Sequence, residues 1–106
     1  MRQHIDETHE LDENGSPAGG VTTGLGIDIR WQNGPLGRGP DRKAANGAFV
    51  EGVMAAALGR LRHYQETKFR CRENALAITK LEEALHWMES RTKDREQRDV
   101  EGTHAV

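Results

Sequence analysis

The sequence predicts an α+β chain, a small N-terminal β element followed by a two-helix antiparallel hairpin that oligomerises through its helices. Three observations carry that expectation. Ile27, Ile29 and Trp31 alternate with Asp28, Arg30 and Gln32, the period-two signature of a half-buried strand. Apolar residues between Val50 and Met88 recur at three- and four-residue spacing, the signature of helices with one apolar face. Most of the large apolar residues also fall between Phe49 and Met88, so the core is too small to be comfortable alone, and oligomerisation is the device left to it.

Residues 1–20 are polar and acidic and end in Gly15-Ser16-Pro17-Ala18-Gly19-Gly20, which predicts a flexible segment. Residues 21–46 form the β element and its loop. The strand is expected from Val21 to Gln32, Asn33-Gly34-Pro35 turns the chain, and Gly37, Gly39 and Pro40 keep the following stretch irregular. Residues 47–99 are the helical hairpin. Asn46 is the expected N-cap of a first helix starting at Gly47 or Ala48, because its side chain can accept an orphan backbone N–H. Val50, Val53, Met54, Ala57, Leu58, Leu61 and Tyr64 form its stripe. A polar stretch, Gln65-Glu66-Thr67-Lys68, precedes a second helix starting near Arg70–Asn74, with Ala77, Ile78, Leu81, Ala84, Leu85 and Met88 on its apolar face. Leu76, Ala75 and Trp87 make that face wider than one partner helix covers. The polar end extends through the pairs Glu89–Lys93, Asp94–Arg98 and Arg95–Asp99. The turn has neither Gly nor Pro, so one kinked long helix fits the pattern nearly as well. Residues 100–106 are a tail, the helix ending at or before Gly102.

Composition narrows the function. The formal charge is −2 and no basic run stands out, which argues against a DNA-binding protein. Cys71 is the single cysteine, so an internal disulfide is impossible and a reducing cytosol fits. No apolar run reaches the length of a membrane span and no signal-peptide pattern is present, so a soluble cytoplasmic protein is expected. The five histidines lack ligand spacing, no metal site is expected, and no nucleophile–base arrangement can be argued. The glycines around Gly19-Gly20 lack the Lys-Ser/Thr of a phosphate loop and read as a flexible lead into the strand. The expectation is therefore a protein without catalytic residues or cofactor.

Three residue types suit an anionic ligand that carries a base. Arginine clamps pyrophosphate, aromatic rings stack on adenine, and a carboxamide offers donor and acceptor together to a base edge. Trp31 as core, Tyr64 as closure of the hairpin and Arg91 as a surface charge are the plainer alternatives.

The run Ile29-Arg30-Trp31-Gln32-Asn33-Gly34-Pro35-Leu36-Gly37, followed by Asn46-Gly47-Ala48-Phe49-Val50-Glu51, resembles the N-terminal half of the Thoeris anti-defence 1 family. Cys71-Arg72-Glu73-Asn74-Ala75-Leu76-Ala77-Ile78-Thr79-Lys80-Leu81 and the following Glu82-Glu83-Ala84-Leu85 resemble the hairpin that this family shares with anti-CBASS 2 proteins. Arg91-Thr92-Lys93-Asp94-Arg95 and Val100-Glu101-Gly102-Thr103-His104 resemble its ending, and the likeness runs over residues 19–104. The acidic start before Gly15, Gly52 within the first helix, and Asp99 where glycine is expected depart from it.

The resemblance implies a phage sponge acting in the host bacterial cytoplasm. Such proteins bind cyclic ADP-ribose isomers of Thoeris, glycocyclic ADP-ribose included, and some bind the cyclic di- or trinucleotides of CBASS, without cleaving them. They assemble as dimers or as hexamers built from dimers. Carried over by position, Arg30, Tyr64, Asn74 and Arg91 are the ligand-binding residues. Asn74 and Arg91 are some 25 Å apart if one helix holds both, too far for one nucleotide. Two antiparallel protomers would place Asn74 of one chain beside Arg91 of the other. A helical protein–protein interaction module is the alternative function.

Overall fold

The computed structural model describes residues 4–106. Its elements run β1 (Asp6–Leu11), β2 (Pro17–Gly24), β3 (Ile27–Arg30), a short 3-10 turn (Gly39–Asp41), α1 (Val50–Gln65) and α2 (Arg72–Gln97). The expected α+β class, with sheet first and helices second, is what the chain adopts. Two compact units result. One holds the sheet and loop up to Phe49 together with Asp99–Val106, and the other is Val50–Arg98.

The first unit is a three-stranded antiparallel sheet in the order β1-β2-β3. Two expectations are corrected here. Residues 6–11 and 17–20 lie in strands, not in a flexible segment; residues 1–3 lie outside the described residues. The single strand expected from Val21 to Gln32 is two strands. Gly24 pairs with Ile27, so Leu25-Gly26 is a two-residue turn, with Gly26 at φ +71. Asp12 closes the β1–β2 hairpin by accepting the backbone N–H groups of Asn14 (2.8 Å) and Ser16 (2.9 Å). These bonds hold its carboxyl below the usual carboxylate range, with the Ser16 bond contributing most.

Thr22 is buried and accepts the indole N–H of Trp31 at 2.8 Å, so the polar ends of both side chains are satisfied. Asn46 does not cap the helix. Residues 46–48 instead run beside the end of β3. The Ala48 N–H donates to the Arg30 carbonyl (2.7 Å), and the Gln32 N–H donates to the Ala48 carbonyl (2.9 Å). A Cβ on Gly47 would stand 2.5 Å from the Trp31 carbonyl, so this approach requires glycine. The C-terminal residues belong to this unit and bond to its loop. Gly37 N–H donates to the Gly102 carbonyl (2.8 Å), Arg38 pairs with Asp99 (3.3 Å), and Arg42 grips Glu101 through both carboxylate oxygens (3.0 and 3.2 Å).

The second unit settles the hairpin against the kinked single helix. Arg62 reaches Glu82 across the two helices at 2.9 Å. Side chains supply the turn that lacks Gly and Pro. The Gln65 carboxamide donates to the Cys71 carbonyl and accepts the Cys71 N–H, both at 3.0 Å. Thr67 donates its hydroxyl to the Tyr64 carbonyl (2.6 Å), and Cys71 caps α2 by accepting the Asn74 N–H at its sulfur (3.4 Å). Helix α1 starts at Val50, later than expected. The half-buried residues of α2 include Asn74 and the expected stripe, Ala77, Ile78, Leu81, Ala84, Leu85 and Met88. Among the described residues of this unit, Leu58 alone is buried, at 4% exposure. Leu76 and Trp87, three turns apart and so on one side of α2, stay 48% and 65% exposed. Of the three charge pairs expected at the polar end, Glu89–Lys93 and Asp94–Arg98 form (3.4 and 3.1 Å), while Asp99 turns to Arg38. Among the described residues no helix is long and apolar enough to cross a membrane.

Candidate ligand-binding site

A concavity of about 390 Å³ opens in the sheet unit, within the size range of small-molecule sites. Thr8 and Glu10 of β1, Gly19–Val21 of β2, and Arg30, Trp31, Asn33 and Asn46 line it. Pairing places the first of these. Thr8 lies opposite Val21, and Val21 opposite Arg30, so the three side chains share one face across three strands. The Thr8 hydroxyl accepts the Val21 N–H at 3.2 Å.

The rim is fixed by reciprocal amide bonds. Asn46 accepts the Asn33 N–H (2.8 Å) and donates to the Asn33 carbonyl (3.0 Å), while its own N–H donates to the Gln32 carboxamide (2.8 Å). Such locked side chains hold a binding surface ready without reorganisation.

Charge in this unit is divided unevenly. Arg38 and Arg42 are committed to Asp99 and Glu101, and the Glu101 bond pushes the Arg42 guanidinium further toward its charged form. Arg30 lines the concavity with no ion pair among the described residues. Its five N–H donors remain available for a planar or tetrahedral anion.

The other expected ligand residues lie in the hairpin unit. Tyr64 ends α1 with the Arg60 guanidinium 5.0 Å from its ring centre, a cation–π arrangement. Asn74 is half-buried in the first turn of α2, and its amide reaches the Phe69 carbonyl at 3.5 Å. Tyr64 and Asn74 therefore belong to the same end of the hairpin, whose turn joins them. Arg91 is exposed far along α2. Since α2 is one unbroken helix, Asn74 and Arg91 are about 25 Å apart in one chain, at 1.5 Å per residue.

Sequence reasoning missed Thr8, Glu10, Asn33 and Asn46 as pocket residues, and read Gly19-Gly20 as a flexible lead. Gly20 is instead where β1 presses closest to β2, since a Cβ there would meet the Thr8 carbonyl oxygen. The signal that could have found it is the paired glycine between a turn and an extended run. Among the described residues no group of three or more His, Cys, Asp or Glu is placed to hold a metal ion.

A three-stranded antiparallel sheet followed by a two-helix hairpin makes the molecule a small α+β protein. The model of the Acb2/Tad1 hairpin-domain family matches residues 24–93, and the chain belongs to that family. It is also 50% identical over 76 residues to Thoeris anti-defense 1 of Bacillus phage SBSphiJ7, a match covering 72% of this chain and 51% of that protein. The chain thus spans about half the length of the curated relative it matches. Strand β1 and nearly all of β2 precede the family-matched segment.

Proposed function

We propose that the chain is a phage anti-defence protein that binds and sequesters a cyclic nucleotide immune signal in the host cytoplasm without degrading it. The ligand class is a cyclic ADP-ribose isomer, with CBASS cyclic di- or trinucleotides as a further class. The observation that carries this reading is Arg30, an arginine without a carboxylate partner among the described residues, set in a concavity of nucleotide size. The name of the related phage protein, Thoeris anti-defense 1, supports the biological role. A sequestering protein needs tight binding and copy number, not turnover. Free signal falls by mass action, and each molecule removed occupies one site.

The reading includes assembly as a dimer or a hexamer built from dimers. Leu76 and Trp87 leave an apolar side of α2 exposed, and a single buried apolar residue in the hairpin is a thin core. Two antiparallel α2 helices would bring Asn74 of one protomer beside Arg91 of the other, so that Tyr64, Asn74 and the partner's Arg91 share one ligand. The same exposed side is the observation that favours the alternative, a helical module that binds another protein.

The test is recovery of bound nucleotide. Protein incubated with the cyclic ADP-ribose isomer released by a Thoeris TIR enzyme is purified and heat-denatured. The expected extract contains the signal unchanged and able to activate its receptor. Linear ADP-ribose accumulating with time and protein would move the chain to the enzymes, and an empty extract would leave the interaction module.

A further inference from the structure

We infer that Glu10 of β1 reads the ribose hydroxyls of a nucleotide whose phosphate rests on Arg30, an inference that rests on the sequestration reading above. Glu10 and Arg30 line one concavity from the two outer strands of the sheet, with Gly19–Val21 of β2 between them. No ion pair joins them. Their charges face the open space instead of cancelling each other, which makes the site dipolar.

A dipolar site discriminates. A bare phosphate gains hydrogen bonds at Arg30 and meets repulsion from Glu10. An ionised carboxylate has acceptors and no donors, so its complement is a group that donates, and a ribose diol offers two hydroxyls side by side. A nucleotide carries the anion and the diol at a fixed separation. Dinucleotide-binding folds make the same division of labour, with an acidic side chain on the ribose and N–H donors on the phosphate.

Local backbone geometry presents Glu10 for this task. Between His9 and Leu11 the β2 partner moves from Gly20 to Pro17, a register shift that places Glu10 at an irregularity in the ladder. The extra residue lies on β2, where Ala18 and Gly19 stand opposite Glu10, and bulges of this kind occur beside binding sites. Glu10 lies in β1, which precedes the family-matched segment, residues 24–93.

The experiment is calorimetric titration of the wild type, Glu10→Ala and Glu10→Gln with two probes, the cyclic ADP-ribose isomer and inorganic pyrophosphate. Glu10 lies on an exposed edge strand, and circular dichroism of each variant checks that the fold is kept. Glu10→Ala should weaken the isomer about 10-fold while leaving pyrophosphate unchanged or binding it more tightly. Glu10→Gln, which keeps one acceptor and loses the charge, should fall between. Wild-type affinity for the isomer in both variants, or tighter binding of both probes, overturns the assignment of Glu10 while the sequestration reading stands. A wild type that binds neither probe overturns both.

Discussion

Mixing two crippled protomers tests the shared pocket. Asn74 and Arg91 lie on one continuous helix, and the rise of that helix sets them about 25 Å apart, more than a cyclic dinucleotide spans. Arg91 is exposed and has no ion pair among the described residues, so Arg91→Ala leaves the fold intact. Asn74→Ala loses one long contact to the Phe69 carbonyl but keeps the backbone bond to the Cys71 sulfur. The loss of a charged contact at Arg91 should cost about 1.5–3 kcal/mol, roughly 10- to 150-fold in affinity. The neutral contact at Asn74 should cost about 0.5–1.5 kcal/mol, roughly 2- to 13-fold. Each homodimer is weakened at every cross-chain site, while the Arg30 concavity carries neither substitution. In a heterodimer of the two variants one pocket carries both substitutions and the other carries neither. Titration of a purified, differentially tagged heterodimer should therefore recover wild-type affinity at half its sites. A folded, dimeric heterodimer with no such site would refute the cross-chain pocket and release Asn74 and Arg91 from their assignment.

Light scattering at micromolar concentration should show at least a dimer, and Trp87→Asp should shift it toward monomer by charging an exposed apolar side of α2. Asp99, at φ +58, is the one non-glycine residue in the left-handed region among those described; Asp99→Gly relieves that conformation but also removes the exposed Arg38 pair, so it should raise Tm more than Asp99→Asn, which loses the charge and keeps a side chain. Asp12 has a depressed carboxyl pKa when folded, so its turn bonds are fully present above the ordinary value of 3.8 and are lost as pH falls through the folded value. Amide shifts of Asn14 and Ser16 should follow that acid transition, and Asp12→Asn should abolish it.

The helices were legible because they bury one face. Ala77, Ile78, Leu81, Leu85 and Met88 repeat at helical spacing, and they are half-buried where that spacing puts them. The same alternation found β3. Strand β1 was not legible, because Asp-Glu-Thr-His-Glu-Leu has no apolar alternation and every residue of it is exposed. It is held as a strand by pairing with β2, a non-local cause that residue types do not report. The hairpin turn was only weakly signalled, for a related reason. Gln65, Thr67 and Cys71 close it with side chains, where a search for Gly and Pro finds nothing. Asn46 has the chemistry of a helix cap and uses it on Asn33 instead. Of the candidate ligand residues, Arg30 stands in a concavity, and its neighbours Thr8 and Glu10 come from the strand that no periodicity revealed.

The bonds of Gly102, Asp99 and Glu101 to Gly37, Arg38 and Arg42 have a consequence for how the chain folds. They make the sheet unit from two pieces of chain, so the helices are an insertion of about fifty residues between its halves. Closing so long a flexible loop costs about 3.5 kcal/mol in chain entropy. An antiparallel hairpin removes most of that penalty in advance, since it returns the chain to within one overhang of its start, roughly 15 Å for a 26-residue helix beside a 16-residue one. Local helical contacts thus form a splint, after which the tail meets its loop as a near neighbour. Trimming the last eight residues would strip the loop of these bonds and loosen the sheet unit, although none of them belongs to a strand.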